Sequence, residues 1–438
     1  MRLRETLSDL NPTDIAEFLE EADKKDLPVV FRILPKELAA EVFVQMDSDM
    51  QQHLIESFSD SELKDVIDEL FMDDMVNIIE EMPASVAKRI LKQTNAKTRQ
   101  MINKLLAYPD TCAGSIMTTE YINIKKSMTV DEAFNRIRKN AVDTEAIYTC
   151  YVTDRGRKLL GVVTVRELLL SYSDTLIEDI MDTNIISAGT LDDREEVVNL
   201  FERYDLYTLP IVDTENRLVG VITVDDAIDV MQEEASEDIE KMAAILPSEK
   251  SYLKTGVFST FKSRIPWLLF LMISATFTGA IISSFEDRLS KWIGLIAFIP
   301  MLMGTGGNSG SQSSVTIIRA LSLGDIDFKD IWRVIWKELR VAVICGIVLG
   351  AVNFVKLYLV DYLILKSFDE GVLLLEMTAV SLTLVFVVII AKLVGSVLPI
   401  IAKKLGFDPA VMASPLVTTI LDALSLLIYF SIAILLLM

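Results

Sequence analysis

Asp422 sits inside LVTTILDALSLLIYF (416–430), with apolar neighbours on both sides and no basic residue in the same stretch. A carboxylate in hydrocarbon is costly unless paired or hydrated. It therefore reads either as part of an ion pathway or as a structural partner of Lys392 or Lys356, whose long stems also let them reach an interface. A second tract, GTGGNSGSQSS (304–314), interrupts an apolar run that begins at Trp292. Non-helical backbone at membrane depth is tolerated only where it is buried in protein or lines a watery cavity. The tract is thus expected to be unwound and to line a pore, the alternative being a cytoplasmic loop between two half-spans. The third feature is a ladder of like charges, Asp225, Asp229, Glu233 and Glu237, at i, i+4 along one helix face. Such a face repels itself unless it is freely solvated or carries counter-cations, and oxygen ligands suit Mg2+ or Ca2+. Asp73–Asp74 forms a smaller cluster able to share a cation with an opposing domain.

Catalytic machinery is not legible. The only histidine, His53, reads as a surface residue of a helix. Cys112, Cys150 and Cys345 are odd in number and form no C-x-x-C, which supports neither a disulfide framework nor a zinc site. No enzyme activity is expected.

These residues are positioned by a chain of two characters. The 438 residues carry a net charge of −21, yet 51% are apolar. Residues 1–250 hold 51 Asp+Glu against 27 Lys+Arg, whereas residues 251–438 hold 12 against 15. The acidic half excludes nucleic-acid binding, which needs a basic surface, and favours cationic partners. Its N-terminus, MRLRETLSDLNP, lacks the apolar core of a signal peptide, so this half is expected in the cytoplasm.

In the other half, five apolar segments near 266–285, 291–323, 341–365, 372–402 and 411–437 approach the ~20 residues that cross a bilayer. Basic flanks test the topology. Lys254, Lys262, Arg264, Arg319, Lys329, Arg333, Lys337, Arg340, Lys403 and Lys404 fall on one side, and only Arg288, Lys291 and Lys366 on the other. This predicts five spans with the N-terminus inside and the C-terminus outside. Gly346 and Gly350 form a helix-packing G-x-x-x-G.

Two duplications organise the acidic half. LNPTDIAEFL (10–19) matches FSDSELKDVI (58–67), and LPKELAAEVF (34–43) matches MPASVAKRIL (82–91), each 48 residues on. Asn11 before Pro12, and Ser59 with Glu62, are helix starts. The pattern predicts a short α-solenoid. Farther on, TVDEAFNRI (129–137) aligns with DREEVVNLF (193–201), and LLGVVTVREL (159–168) with LVGVITVDDA (218–227). Both copies read helix, strand, Gly turn, strand, helix, and this resembles a tandem CBS-domain pair. CBS pairs often hold adenine nucleotides, and the resemblance implies a nucleotide site at Thr223 and Asp226, with Glu167 at the matching place in the first copy; an empty cleft is the alternative. The ladder helix, VDDAIDVMQEEASEDIEKMAAIL, then joins this module to the first span.

Nearly the whole chain resembles the MgtE family of magnesium channels, through G-T-G-G-N (304–308), G-x-Q (310–312), D-P-A (408–410) and P-L-V-T-T-x-x-D (415–422). One departure is Ser425, where family members often have Gly. The resemblance implies a multidomain fold: an all-α solenoid at 1–110, an α/β tandem CBS pair at 112–231, a long connecting helix at 232–264 and a five-span α-helical membrane domain at 265–438. It implies a homodimer in lipid of the cytoplasmic membrane that imports Mg2+ and is closed by cytosolic Mg2+. Pore contacts would come from Asp422, the Asn308 amide, Thr418, Thr419 and carbonyls around Gly304, Gly306 and Gly307. Sensor ligands carried over by position are Asp193, Asp205, Asp226, Asp229, Glu234, Glu237 and Asp238, with Asp73 in the solenoid. Two other classes stay open: a membrane-anchored CBS regulator that binds nucleotide, and a proton- or sodium-coupled carrier of divalent cations.

Overall fold

The computed structural model describes residues 2–437 except 141–143, 145, 249–251, 254, 290–292, 365–372 and 413. Of the flanking charges, Lys254, Lys291 and Lys366 lie outside the described residues, as does the Arg288 side chain. The chain divides into two units, Met1–Gln232 and Glu233–Met438.

The first unit opens with the helices α1 (Arg2–Ser8), α2 (Pro12–Glu20), α3 (Leu27–Phe31), α4 (Lys36–Val44), α5 (Ser48–Ser57), α6 (Asp60–Ile67), α7 (Met72–Glu81), α8 (Ala84–Gln93) and α9 (Ala96–Leu105). Their starts repeat as the sequence does: α2 and α6, α4 and α8, and α5 and α9 each begin 48 residues apart. Local chemistry sets those starts. Asn11 accepts from the Thr13 amide ahead of Pro12, and Ser59 and Glu62 form the expected capping box. The apolar faces, including Ile15, Leu19, Phe43, Leu54 and Leu63, are all but excluded from solvent.

Two three-stranded sheets follow. The first contains β1 (Tyr121–Ile124), β2 (Ala146–Thr153) and β3 (Leu159–Thr164), the second β4 (Ala188–Gly189), β5 (Thr208–Val212) and β6 (Leu218–Thr223). In each, the first pair is parallel and the second antiparallel. Their helices are α10 (Val130–Asn140), α11 (Val165–Leu170), α12 (Ile177–Ile180), α13 (Arg194–Tyr204) and α14 (Val224–Met242). The expected Gly turn is corrected here. Gly161 and Gly220 lie inside β3 and β6, and the reversals fall at Arg157 and Asn216, both in the left-handed region. The glycines serve close approach instead. A Cβ on Gly220 would lie 2.6 Å from the Met117 sulfur and 2.8 Å from the Thr118 carbonyl, and one on Gly161 would lie 2.9 Å from the Met181 sulfur. Thr118 bridges β6 while Asp182 bridges β3, so the leader of each copy pairs with the last strand of a sheet. One continuous apolar core then joins the N-terminal helices to the second copy through Ile102, Leu105, Ile211, Ile222 and Val230.

The second unit takes in the end of α14 and then α15 (Val257–Leu289), α16 (Ile293–Ile296), α17 (Ile299–Ser322), α18 (Ile331–Lys356), α19 (Leu373–Lys404) and α20 (Ser414–Leu437). Four stretches are long and apolar enough to cross a membrane: Val257–Phe285, Phe328–Tyr362, Leu374–Lys404 and Pro409–Leu437. Three expectations are corrected. The connecting segment 232–264 is not one helix: α14 stops at Met242, Ala244 adopts the left-handed region, and helix resumes at Val257. Pro266 consequently lies inside α15 rather than at its start. The helix carrying the third apolar segment begins earlier than 341, since α18 starts at Ile331, over the charged stretch that precedes the apolar run, and continues as a π-helical turn, Leu357–Tyr362.

The third correction concerns the polar tract. It is not unwound, because α17 is continuous over 24 residues. Its glycines bring neighbouring helices close. A Cβ on Gly306 would lie 2.6 Å from the Ser425 hydroxyl, one on Gly307 3.0 Å from the Thr418 methyl, and one on Gly310 3.1 Å from the Ala391 carbonyl. Gly395 meets the Gly310 carbonyl more tightly still. Small residues let helix backbones approach without breaking the ladder, so composition that signals a break here signals packing.

Candidate functional site

Asp422 is half-buried on α20, one turn above Thr418. Thr418 and Thr419 both donate to the Pro415 carbonyl at 2.9 Å, which fixes their rotamers and leaves oxygen lone pairs available. Among the described residues no basic group forms an ion pair with Asp422. Lys356 is instead bonded to Asp361 at 2.8 Å, and Lys392 is buried in α19. The structural-pair reading of Asp422 therefore has no support in the fold.

On α17, Gly304, Asn308, Gln312 and Thr316 follow one another at i, i+4, and all four are exposed. Gly306, Gly307, Gly310, Ser313 and Ser314 form the buried side. Since α17 is helical, the carbonyls of Gly304–Gly307 belong to its hydrogen-bond ladder and are not turned to a lumen; the polar face is made of side chains. Sequence reading missed Glu338, on the membrane-capable stretch Phe328–Tyr362, which accepts from the Ser313 hydroxyl at 2.8 Å.

In the first unit an acidic cluster forms where α7 meets the start of α14. Asp73 is 5% exposed, and its Oδ1 is buried with no hydrogen-bond partner. Burial raises its pKa first, and the Asp74 charge adds to the effect. Asp74 is pushed up to about 7 by burial and then by Asp226, Glu120 and Asp225. Asp226 is raised by burial and by Asp73, although the Thr223 hydroxyl bonded to it at 2.5 Å opposes the shift. Asp229 is raised by burial and by Asp225. Two members were not foreseen: Asp225, read only as part of the ladder, and Glu120, which takes the Met72 amide at 3.2 Å in place of a side-chain cap from Phe71. Carboxylates driven up together in this way call for protons or a cation. Among the described residues no three acids, cysteines or histidines are set as a ready-made metal cage.

The other carried-over residues are dispersed. Asp193 caps α13 by accepting from the Glu195 and Glu196 amides, and Asp205 ends the same helix in the left-handed region. Eleven helical residues separate them by about 16 Å, so within one chain they cannot share an ion. In the second unit, Glu237 bonds Lys241 at 2.7 Å, and Asp238 is raised by burial and then by Asp408, with Glu234 contributing.

Comparison with known proteins follows the same division. Residues 299–432 match the family model MgtE, a divalent cation transporter; residues 10–111 match the MgtE intracellular N domain; residues 113–174 and 177–233 match CBS domains. The chain is 36% identical to the magnesium transporter MgtE of Thermus thermophilus, over 99% of this chain and 95% of the relative. It is 34% identical to that of Bacillus subtilis, over 98% and 93%. Among solved structures, the cytosolic domain of the Mg2+ channel MgtE in complex with ATP matches with TM-score 0.50 and 34% identity, covering 52% of this chain and 93% of that one. The soluble part of a magnesium transporter matches with TM-score 0.51 and 31% identity, covering 53% and 91%.

Proposed function

The chain belongs to the MgtE family, and from that premise we propose that it is a membrane channel for Mg2+ whose cytosolic part senses the same ion. The observation that carries this reading is an Asp422 without a basic partner among the described residues, on a helix that packs against α17, whose exposed face carries Gly304, Asn308, Gln312 and Thr316. Amide side chains facing hydrocarbon cost several kcal/mol unless water or protein meets them. With 24 residues, α17 is about 36 Å long and able to cross as a fifth span. Five crossings put the two termini on opposite sides, and the basic flanks favour the solenoid and CBS pair in the cytosol with the C-terminus outside. A second copy of the chain across that face encloses a wet path and sets two Asp422 carboxylates toward one divalent ion. Mg2+ dehydrates reluctantly, so amide and hydroxyl groups that hold its water shell serve it better than a tight cage.

Gating follows from repulsion. Asp73, Asp74, Asp225 and Asp226 push α7 from α14, while Asp229, Glu234 and Asp238 extend the negative face along α14, where Lys241 already neutralises part of the Glu237 charge. Bound Mg2+ supplies the compensating charge, which favours the closed arrangement by population shift. Asp193 and Asp205, too far apart to cooperate within one chain, are suited to ions shared with the second copy. The CBS pair also takes an adenine nucleotide; Thr223 and Asp226 are the candidates, and their mutual bond links nucleotide and ion at one place.

Asp422→Ala is expected to abolish Mg2+ flux into liposomes with assembly intact. Full flux in that variant removes the pore assignment. The anchored-regulator reading requires neither an uncapped membrane carboxylate nor a polar α17, and current driven by the electrochemical gradient alone separates channel from coupled carrier.

A further inference from the structure

Lys241 lies one residue before the end of α14, four residues after Glu237, where a basic residue suits both the i,i+4 pairing and the helix dipole; those local reasons leave its second partner to be explained. Its ammonium is 2.7 Å from Glu237 on its own helix and 2.7 Å from Asp408, in the D-P-A segment before α20. Around this pair, Asp238 lies 3.5 Å from the Ser322 hydroxyl at the end of α17. Met242 packs on Ile318 of α17 and on Ala410. One ammonium thus faces the carboxylates of Glu237 and Asp408, with Asp238 and Glu234 adjoining. Without it, the end of α14 and the D-P-A segment present only like charge to each other.

We infer that Lys241 is a tethered counter-ion: it latches the end of α14 to the segment that leads into the Asp422 helix, and it does so without a bound metal. The latch is only partly exposed, with side-chain exposures of 24% for Lys241 and 34% for Asp408, so water screens it less than a surface pair. Its geometry is also directional. Glu237 holds the ammonium from its own helix, which leaves the remaining donors aimed at Asp408. A channel built this way keeps its connecting helix near the pore helices when the ion is scarce, so closure asks Mg2+ to complete a contact rather than create one. The effect on transport rests on the gating proposed above; the effect on the contact does not.

Both can be read. Met242→Cys with Ala410→Cys reports the contact through its rate of disulfide formation in the full chain in EDTA, against the background of the chain's own three cysteines. The pair is expected to cross-link readily with Lys241 present and about tenfold more slowly with Lys241→Met. Lys241→Arg is expected to retain the rate, and Lys241→Asp combined with Asp408→Lys to restore it. An unchanged rate in Lys241→Met, a swap that fails while each single variant folds, or no cross-link in EDTA with Lys241 present overturns the latch. In liposomes, Lys241→Met is expected to need at least about fivefold more Mg2+ for closure. Cross-linking that follows this pattern in a channel indifferent to Mg2+ leaves the latch standing and overturns the gating proposal.

Discussion

Two acidic clusters in this chain solve the same electrostatic problem differently. Around Asp73, Asp74 and Asp226, carboxylates are buried against one another, and among the described residues none of the three is in an ion pair; one buried oxygen lacks even a hydrogen bond. Around Asp238 and Asp408, Lys241 supplies a fixed positive charge. Burial lowers the Lys241 pKa, yet its bonds to Asp408 and Glu237 outweigh that and hold it raised. In the reading proposed above, the first cluster responds to a cation from solution and the second acts as a hinge pin.

The comparison breaks most directly if the first cluster does not depend on an added cation. Mg2+ at about a hundred times its dissociation constant is expected to stabilise the native chain by about 2.7 kcal/mol. Asp73→Asn with Asp226→Asn is expected to melt higher than the native chain in EDTA and to gain less than about 1 kcal/mol from Mg2+. Equal Mg2+-induced shifts in melting would mean that the cluster is not the sensor. Thr223→Val comes next. The hydroxyl at 2.5 Å steadies the charged form of Asp226, and loss of a hydrogen bond to a charged group costs about 1.5–3 kcal/mol. Its loss is expected to weaken the Mg2+ response in the same melting assay while leaving the Lys241 cross-link unchanged.

Proton competition sharpens the same contrast. Asp74 is raised in the folded chain from 3.8 to about 7, with Asp73 and Asp226 raised as well. Between those values the folded form holds protons that the unfolded form has released, so in EDTA the contact is firm below about pH 4 and weakens as pH rises toward 7. Amide exchange in α7 at pH 8, corrected for the intrinsic rate, is expected to exceed that at pH 5 by about tenfold, and Mg2+ is expected to cancel the difference. The Lys241 contact is expected to change little over this range, because its ammonium stays charged. A pH response of equal size at both places would erase the distinction.

Much of this was legible in the residues. Repeats at a fixed offset locate the N-terminal helices, because each unit opens on its own cap; for Asp422 the fold shows half-burial and no ion pair among the described residues, and its pore role is a proposal. What failed did so for a shared reason. By composition Gly161, Gly220 and the glycines of α17 suggest places where the chain turns or unwinds, whereas Gly161, Gly220, Gly306, Gly307 and Gly310 each admit a neighbouring segment from elsewhere in the sequence, and of these glycines only Gly304 faces open space. A single chain of letters shows the missing side chain but not the segment that fills its space. The pairs Asp408–Lys241 and Glu120–Met72 were invisible for the same reason, as they join elements 167 and 48 residues apart. In the sequence Asp225 is one rung of a repelling ladder; which rungs are buried depends on where α7 lands.

The smallest expected effect separates geometry from proximity. Ser322 and Asp238 are 3.5 Å apart, at the outer limit of a hydrogen bond, and both are only half-buried. Thr223 and Asp226 have the same chemistry at 2.5 Å. If the second cluster is held by Lys241 rather than by its hydroxyl, Ser322→Ala should stay within about 0.5 kcal/mol of the native chain. It should also leave the Met242–Ala410 cross-linking rate within about twofold, well short of the loss expected from Lys241→Met. A Ser322→Ala chain that loosens the contact as far as Lys241→Met would show that hydrogen bonding at the end of α17, not the tethered ammonium, fastens α14 there.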